Sequence, residues 1–315
     1  MRNSTLPKVP FFLFFCCFSI TSLLHAQEEA EQPTFFTGLS PIILEQNAAE
    51  INVINSFNSF WIAQKQFRPD APSVLATDRK RFTSVEHLLR ASYGFSKKKT
   101  WDLGVELKIS EARLDEAARS SPFRVFGNSE VGGKSYRGLS SIGVRARMIP
   151  FKNIPELTLQ ATAAYPMARK PETRAIFNAQ STQLGLAATY FVQSGDRNFY
   201  FFQVDWLTRL KNDEAPRTQH SPALSAVMVI KLWNDEWFVF PGLSYGTTLQ
   251  QFSNGGLYRL NQSLFGTGGV FYQPSPKFSV VLNFQLPLIY SSTLRSVELV
   301  RESYSGFTLG VRSLL

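Results

Sequence analysis

The sequence predicts an all-β fold, an antiparallel up-and-down transmembrane β-barrel of about twelve strands. Three observations predict it. Beyond residue 50, segments of roughly ten residues alternate apolar and polar positions, and the connections between them alternate short and long. After residue 26 no apolar run approaches the roughly 18 residues that a helical span needs, so a chain that enters a membrane must do so as strands.

The opening residues read as a secretory signal. Arg2 and Lys8 give a positive start, Phe11 to Phe18 and Ile20 to Leu24 an apolar stretch, and Ala26 stands before Gln27 at a small-residue cleavage site. The signal is therefore expected over 1–26. Both cysteines, Cys16 and Cys17, fall inside it, which leaves no disulfide for the exported chain. Phe14 and Phe15 precede Cys16, which excludes the small-residue pattern of a lipoprotein anchor. The mean hydropathy of −0.10 fits a soluble protein as well as a barrel with polar loops and lumen.

Without Arg2 and Lys8, the 33 basic residues become 31 against 24 acidic ones, a moderate excess. A nucleic-acid surface would interleave such charge with aromatics, whereas the run Lys97, Lys98 and Lys99 sits in an expected turn, so no nucleic-acid partner is expected. Residues 27–50 are expected to form an N-terminal periplasmic tail or a plug. Glu28, Glu29 and Glu31 look solvated, and a thirteenth strand over Phe35 to Leu44 would leave one terminus on the wrong side.

The barrel is expected over 51–315. Its first strand, Ile51 to Ile62, is less regular than the next two. There Val85, His87, Leu89, Ala91, Tyr93 and Phe95 alternate with Glu86, Leu88, Arg90, Ser92, Gly94 and Ser96, and after a short turn Trp101, Leu103, Val105, Leu107 and Ile109 oppose Asp102, Gly104, Glu106, Lys108 and Ser110. This is a hairpin with one apolar and one polar face. Further strands are expected near 138–149, 157–165, 182–192, 199–209, 223–233, 237–247, 263–272, 278–287 and 304–314. Pro241 and Gly242 interrupt the strand near 237, and Gly266, Gly268 and Gly269 dilute the one near 263, so neither receives a face assignment.

The expected short connections are 97–100, 150–156, 193–198, 234–236 and 273–277, and the long ones 63–82, 113–137, 166–181, 210–222, 248–262 and 288–303. A barrel threaded through an outer membrane keeps tight turns on the periplasmic side and longer loops outside, which is this pattern. Aromatic residues should form two girdles, with Tyr93, Phe95, Trp101, Tyr190, Tyr200, Trp233, Trp237, Tyr272 and Phe278 at the turn end and Trp61, Tyr165, Trp206, Tyr245 and Phe307 at the loop end.

With these features the chain resembles the bacterial outer-membrane β-barrel superfamily, in particular single-chain barrels whose signal ends in Ala-Gln. The resemblance rests on architecture and covers essentially the whole exported chain. It implies residence in the outer membrane among its lipids and assembly through the C-terminal strand by the barrel assembly machinery. Phe307, Leu309, Val311 and Leu315 hold the phase of that strand, while Ser313 interrupts it and the last residue is leucine rather than aromatic.

The expected lumen face carries both signs: Glu86, Arg90, Asp102, Glu106, Lys108, Arg145, Arg147, Asp205, Arg209 and Arg312. Such groups avoid lipid, and they either pair across strands to fill the barrel or form a charged constriction that sorts solutes. His87 falls on the apolar phase. A site like that of the outer-membrane phospholipases would need Ser59 or Ser110 beside it and an orienting Asn or Asp, which no spacing supplies. His87 and His220 have no carboxylate at a ligand spacing, and Gly266 to Gly269 precede no helix, so no metal, phosphate-binding loop or other cofactor is expected. The function expected is a pore or transporter for small solutes, with 113–137 and 63–82 as candidate gates. A closed structural or surface-interaction barrel is the alternative, lipid hydrolysis the third reading, and enzyme activity is not expected.

Overall fold

The computed structural model describes residues 43–68, 71–98, 100–127, 131–232, 236–252, 255–292 and 297–315. The expected signal over 1–26, positions 27–42 of the expected tail or plug, and Trp233 of the expected girdle lie outside them. Twelve strands run in chain order: β1 (Ala49–Arg68), β2 (Ala71–Gly94), β3 (Trp101–Asp115), β4 (Gly133–Met148), β5 (Leu157–Pro166), β6 (Gln183–Ser194), β7 (Asn198–Arg209), β8 (Gln219–Lys231), β9 (Trp237–Gln251), β10 (Leu257–Ser275), β11 (Phe278–Ser292) and β12 (Val297–Leu314). Each pairs antiparallel with its neighbour, and β12 closes on β1, Val53 opposite Val311. Backbone bonds between Ala49 and Leu315 seal the seam at 2.9 and 3.2 Å. Closure leaves no strand edge along the paired rows, the condition for placing a sheet in hydrocarbon.

Alternation then sorts the side chains. Leu103, Val105, Val144, Leu186, Val204 and Leu286 point outward and are exposed, while Ser92, Asp102, Arg145, Asn283 and Thr308 point inward and are buried. An exposed apolar belt around a buried polar interior inverts the arrangement of a soluble protein, and only lipid accounts for it. The same rule settles the two strands that the sequence left unassigned. Phe238, Phe240 and Ser244 of β9 point inward, as do Phe265, Thr267 and Gly269 of β10, with Gly266 and Gly268 on the lipid phase. Tyr93, Phe95, Trp101, Tyr190, Trp237 and Phe278 are exposed at the turn end, where Phe95 and Trp101 stack at 5.5 Å. Tyr165, Trp206 and Tyr245 mark the opposite rim.

Two expected features are corrected. Residues 63–82 are not a long loop: β1 and β2 continue as one hairpin with Lys65 opposite Thr77, linked through 69–70. Likewise β9–β10 and β11–β12 are joined by short links, 252–256 and 293–296, because their strands run past the expected boundaries. Above the lipid band the apolar phase is no longer required, so alternation fades although backbone pairing goes on.

In the β3–β4 connection, residues 116–127 fold down over the outside of the wall. Its short 3-10 helix η1 (Pro122–Phe126) lays Val125 on Phe57 and Val85, while Phe123 and Phe126 stack with Phe57 at 5.9 and 6.5 Å. Phe307, expected at the open rim, lies in this stack, 5.1 Å from Phe57. The cover is needed because the lipid phase here carries polar groups. Arg113 is fully buried and donates to Asp115 Oδ1 at 2.8 Å, to Ser135 Oγ at 2.7 Å and to the Val131 carbonyl at 3.2 Å. Arg124 reaches the same Asp115 oxygen at 3.1 Å.

Before β1, residues 43–48 press on the turn end. The Asn47 N–H bonds the Gly94 carbonyl at 2.9 Å, and a Cβ on Gly94 would lie 2.0 Å from the Glu45 carbonyl, so only glycine fits there.

Val144→Arg places a charge on the lipid phase of β4 and is expected to lower the folding free energy in bilayers by about 2–4 kcal/mol. Equilibrium unfolding in lipid vesicles reads the loss, and a change near zero there would mean that Val144 does not face lipid.

Candidate functional site: the lumen

All ten expected lumen residues take the inward phase; six of them join one network across five adjacent strands, β12, β1, β2, β3 and β4, and Glu86 and Lys108 pair beside it. Register brings them together, since Asp102 lies opposite Arg147 and Arg90 opposite Glu106. Arg147 grips Asp102 with two bonds, Nε to Oδ1 and Nη2 to Oδ2, each 2.9 Å. The Arg90–Glu106 and Lys108–Glu86 pairs measure 2.6 and 2.7 Å. Arg145 donates to Ser92 Oγ at 2.7 Å, while its nearest carboxylate oxygens, on Glu50 and Glu106, stand off at 3.7 and 3.8 Å.

Glu50 is the member that sequence reasoning missed. It accepts from Arg312 Nε at 2.8 Å and lies 3.5 Å from Arg147, joining the seam strands to β4. Its signal was the polar phase Glu50, Asn52, Ser56 and Asn58, which runs straight through the boundary assumed between tail and barrel. Just before it, Ile43 and Leu44 are buried, and the Leu44 N–H donates to Asp102 Oδ2 at 3.1 Å. The start of the described chain is thus bonded into the network at the turn end.

Asp205 and Arg209 stand apart on β7. Asp205 accepts both bonds of the Gln203 amide at 2.7 and 2.8 Å, and Arg209 donates to Gln219 Oε1 at 3.1 Å.

Across the lumen the turn-end half is apolar: Val227 and Phe240 are buried with Phe201, Val229, Phe271 and Val281 against them. The loop-end half is filled differently. The β5–β6 connection, 167–182, dips inside, where helix α1 (Pro171–Ile176) and the residues on either side of it bury Ala168, Ile176, Phe177 and Ala179 against Phe60, Phe82, Phe265 and Tyr304. Proline starts the helix where no intrahelical N–H is needed, and Asn178 at φ +50° turns the chain so that the Ala179 N–H meets the Arg174 carbonyl at 2.8 Å. Burial of Ile176 and Phe177 contributes about 1.5–3 kcal/mol each. A bidentate pair between Arg174 and Glu214 fixes the segment to the β7–β8 loop, with Nε to Oε2 at 2.7 Å.

One wall differs from the rest. On β5, β6 and β7 the inward Gln160, Thr162, Ala164, Ala187, Thr189, Gln203 and Leu207 are only half-buried, with Thr158 buried below them and Arg209 above; on β2 and on most of β1, β10 and β11 the inward residues are buried, as are Gly143, Arg145 and Arg147 of β4, while on β3 the half-buried Glu106 and Lys108 are held in ion pairs. Small side chains make this space. Register aligns Ala164 with Gln183, and Thr162 with Gly185, where an added Cβ would stand 2.3 Å from the Thr162 hydroxyl.

The two loops expected as gates are not inside. Residues 63–68 and 71–82 are strand, and η1 packs on the outer wall; the segment within the lumen is 167–182. No hydrolytic set assembles around His87 either. It takes the outward phase opposite Asn55 and Ile109, Ser59 lies four positions along β1 from Asn55, and Ser110 faces the lumen against Ser140 Oγ at 2.9 Å.

Closed topology, a lipid-facing belt and a polar lumen together define an outer-membrane β-barrel. No protein-family model and no curated protein match the sequence. Among solved structures, an outer-membrane channel from Pseudomonas putida F1 is similar over 91% of this chain and 100% of its own, with a TM-score of 0.58 and 12% identity. The β-domain of the Bordetella autotransporter BrkA aligns with 85% of this chain and 99% of its own (TM-score 0.48, 12% identity), and the NanC porin with 84% and 98% (TM-score 0.43, 7% identity).

Two predictions follow from the packing. Glu50→Gln leaves buried Arg147 and part-buried Arg312 without their shared carboxylate and is expected to cost about 3–5 kcal/mol in vesicle unfolding; Arg312→Gln, which removes a partner nearer the surface, should cost less. Glu214→Ala should loosen the inserted segment, so that Ala179→Cys reacts with an externally added maleimide several-fold faster than in the Glu214 parent; equal rates would mean the pair holds nothing.

Proposed function

We propose that the chain is a narrow pore or transporter for small solutes across the outer membrane, with the solute path along β5, β6 and β7. The observation that carries this reading is the unequal burial of the lumen. Ion pairs and apolar packing occupy one side, while a row of small and amide side chains from Ala164 and Thr162 to Ala187 and Thr189 keeps solvent contact. Evenly packed interiors leave no such strip, and in a barrel this narrow a strip lined by Thr, Ala and Gln is wide enough only for small molecules.

In this reading the charged network is the fixed wall against which the path runs, and the segment 167–182 sets the constriction at the loop end. The chain would reach the membrane through the barrel assembly machinery acting on β12. A sealed barrel that acts through its loops is the second reading, favoured by the burial of Ile176 and Phe177 within the mouth.

Conductance in planar bilayers separates the two. The unaltered barrel should show discrete openings. Ala187→Trp, which fills the strip, should lower the unit conductance several-fold, and Ala161→Trp, on the lipid phase of β5, should leave it unchanged. A folded barrel that never conducts, or one indifferent to Ala187→Trp, overturns the proposed path.

A further inference from the structure

We infer, resting on the pore reading above, that the solute is a small anion, a carboxylate or a phosphate, which is captured in a basic vestibule at the loop end before it meets the β5–β7 strip.

The vestibule exists because neighbouring strands differ in length. β4 begins at Gly133, but its pairing with β5 ends at Ser141 opposite Pro166, and the Met167 N–H takes the Ser140 carbonyl at 2.9 Å. Beyond Ser140, toward the loop end, the β5 side of β4 carries no strand among the described residues. There a cavity of about 910 Å³ opens between β4 and the start of the inserted segment, lined by Lys134, Tyr136, Arg137, Arg169, Lys170 and Glu172 among others.

The charges on this cavity are unequally engaged. Nearby cations are held by carboxylates: Arg137 by Glu111 at 2.7 Å, Arg124 by Asp115 at 3.1 Å and Arg174 by Glu214. Among the described residues, Lys134, Arg169 and Lys170 have no carboxylate within 4.0 Å, and all three are exposed. Glu116 and Glu172 are the acidic lining residues, fewer than the cations. Backbone N–H groups on the open edge of β4 add neutral donors, which suit oxyanions.

The route onward keeps the same sign. Met167 and Ala168 line the cavity directly after Pro166, and Ala164 and Thr162 of the half-buried strip lie two and four residues before that proline. In register, Ala164 lies opposite Gln183, which lies opposite Arg209; Thr162 lies opposite Arg145. An arginine therefore stands on each side of the β5–β6 wall near its loop end. Arg145 is loosely matched by carboxylates and sits beside Gln160 Oε1 at 3.5 Å, so an anion on the strip would complete its surroundings. Asp205 is the one acid on the inward faces of β5 to β7, one row nearer the turn end, and the Gln203 amide already occupies both its oxygens. Over the lumen charges named above, the six cations Arg90, Lys108, Arg145, Arg147, Arg209 and Arg312 stand against the five acids Glu50, Glu86, Asp102, Glu106 and Asp205, and this small positive excess weighs more at the low effective dielectric of a narrow lumen.

Two measurements test the inference, and they separate it from the pore reading. In bilayers under a potassium chloride gradient, the reversal potential should have the sign of anion preference. Combined Lys134→Glu, Arg169→Glu and Lys170→Glu, all at exposed positions, should lower the chloride-to-potassium permeability ratio by about threefold or more. Cation preference, or a ratio unchanged in the triple variant, overturns the anion assignment while leaving a pore. Independently of conduction, calorimetric titration of the detergent-folded barrel with citrate and with inorganic phosphate should give saturable binding weakened about tenfold in the triple variant. Binding with a silent bilayer would sink the pore and keep the vestibule; no binding of either anion would sink the vestibule.

Discussion

Hydrocarbon offers no partner to a backbone N–H or C=O, and that constraint shapes this molecule more than any side-chain contact. It forces β12 onto β1, with the last residue bonded to Ala49. Once the cylinder is closed, strand periodicity decides the rest. Each residue meets either lipid or lumen, and a charge on the wrong phase needs a cover. The β3–β4 connection is such a cover, since Arg113 and Asp115 fall on the lipid phase and 116–127 folds back over this part of the wall.

The interior follows from the same geometry. Residues that must avoid lipid accumulate inside, where Glu50, Asp102 and Glu106 meet Arg90, Arg145, Arg147 and Arg312. Buried charges of this kind are costly unless matched, and their matching explains why the network spans contiguous strands rather than scattering around the lumen. The opposite wall has few charges to match. Phenylalanine and valine fill its turn end, the inserted segment fills the mouth, and β5 to β7 are left incompletely packed. That residual strip is the basis of the functional reading.

Much of this was legible in the residues. The hairpin from Val85 to Ile109, the twelve antiparallel strands and the inward phase of the ten lumen charges can be read by counting in twos. Three features were not. The β1–β2 hairpin outgrows the lipid, so its polar extension over 63–82 looks like a loop until backbone pairing is seen. Glu50 belongs to the barrel network but adjoins an acidic, irregular leader that obscured its phase. Ile176 and Phe177 look like ordinary apolar residues in a surface loop, and nothing local marks 167–182 rather than 113–137 as the connection that turns inward; only the low wall at β5 and β6 makes room for it.

The central claim is that alternate residues of these strands face lipid around a closed cylinder. Brominated-lipid quenching of a fluorophore attached to single cysteines at successive positions from Ile142 to Arg147 tests it most directly. Quenching should be strong at 142, 144 and 146 and weak at 143, 145 and 147. Uniform quenching, or none in a protein that stays folded and dissolved without detergent, would contradict it.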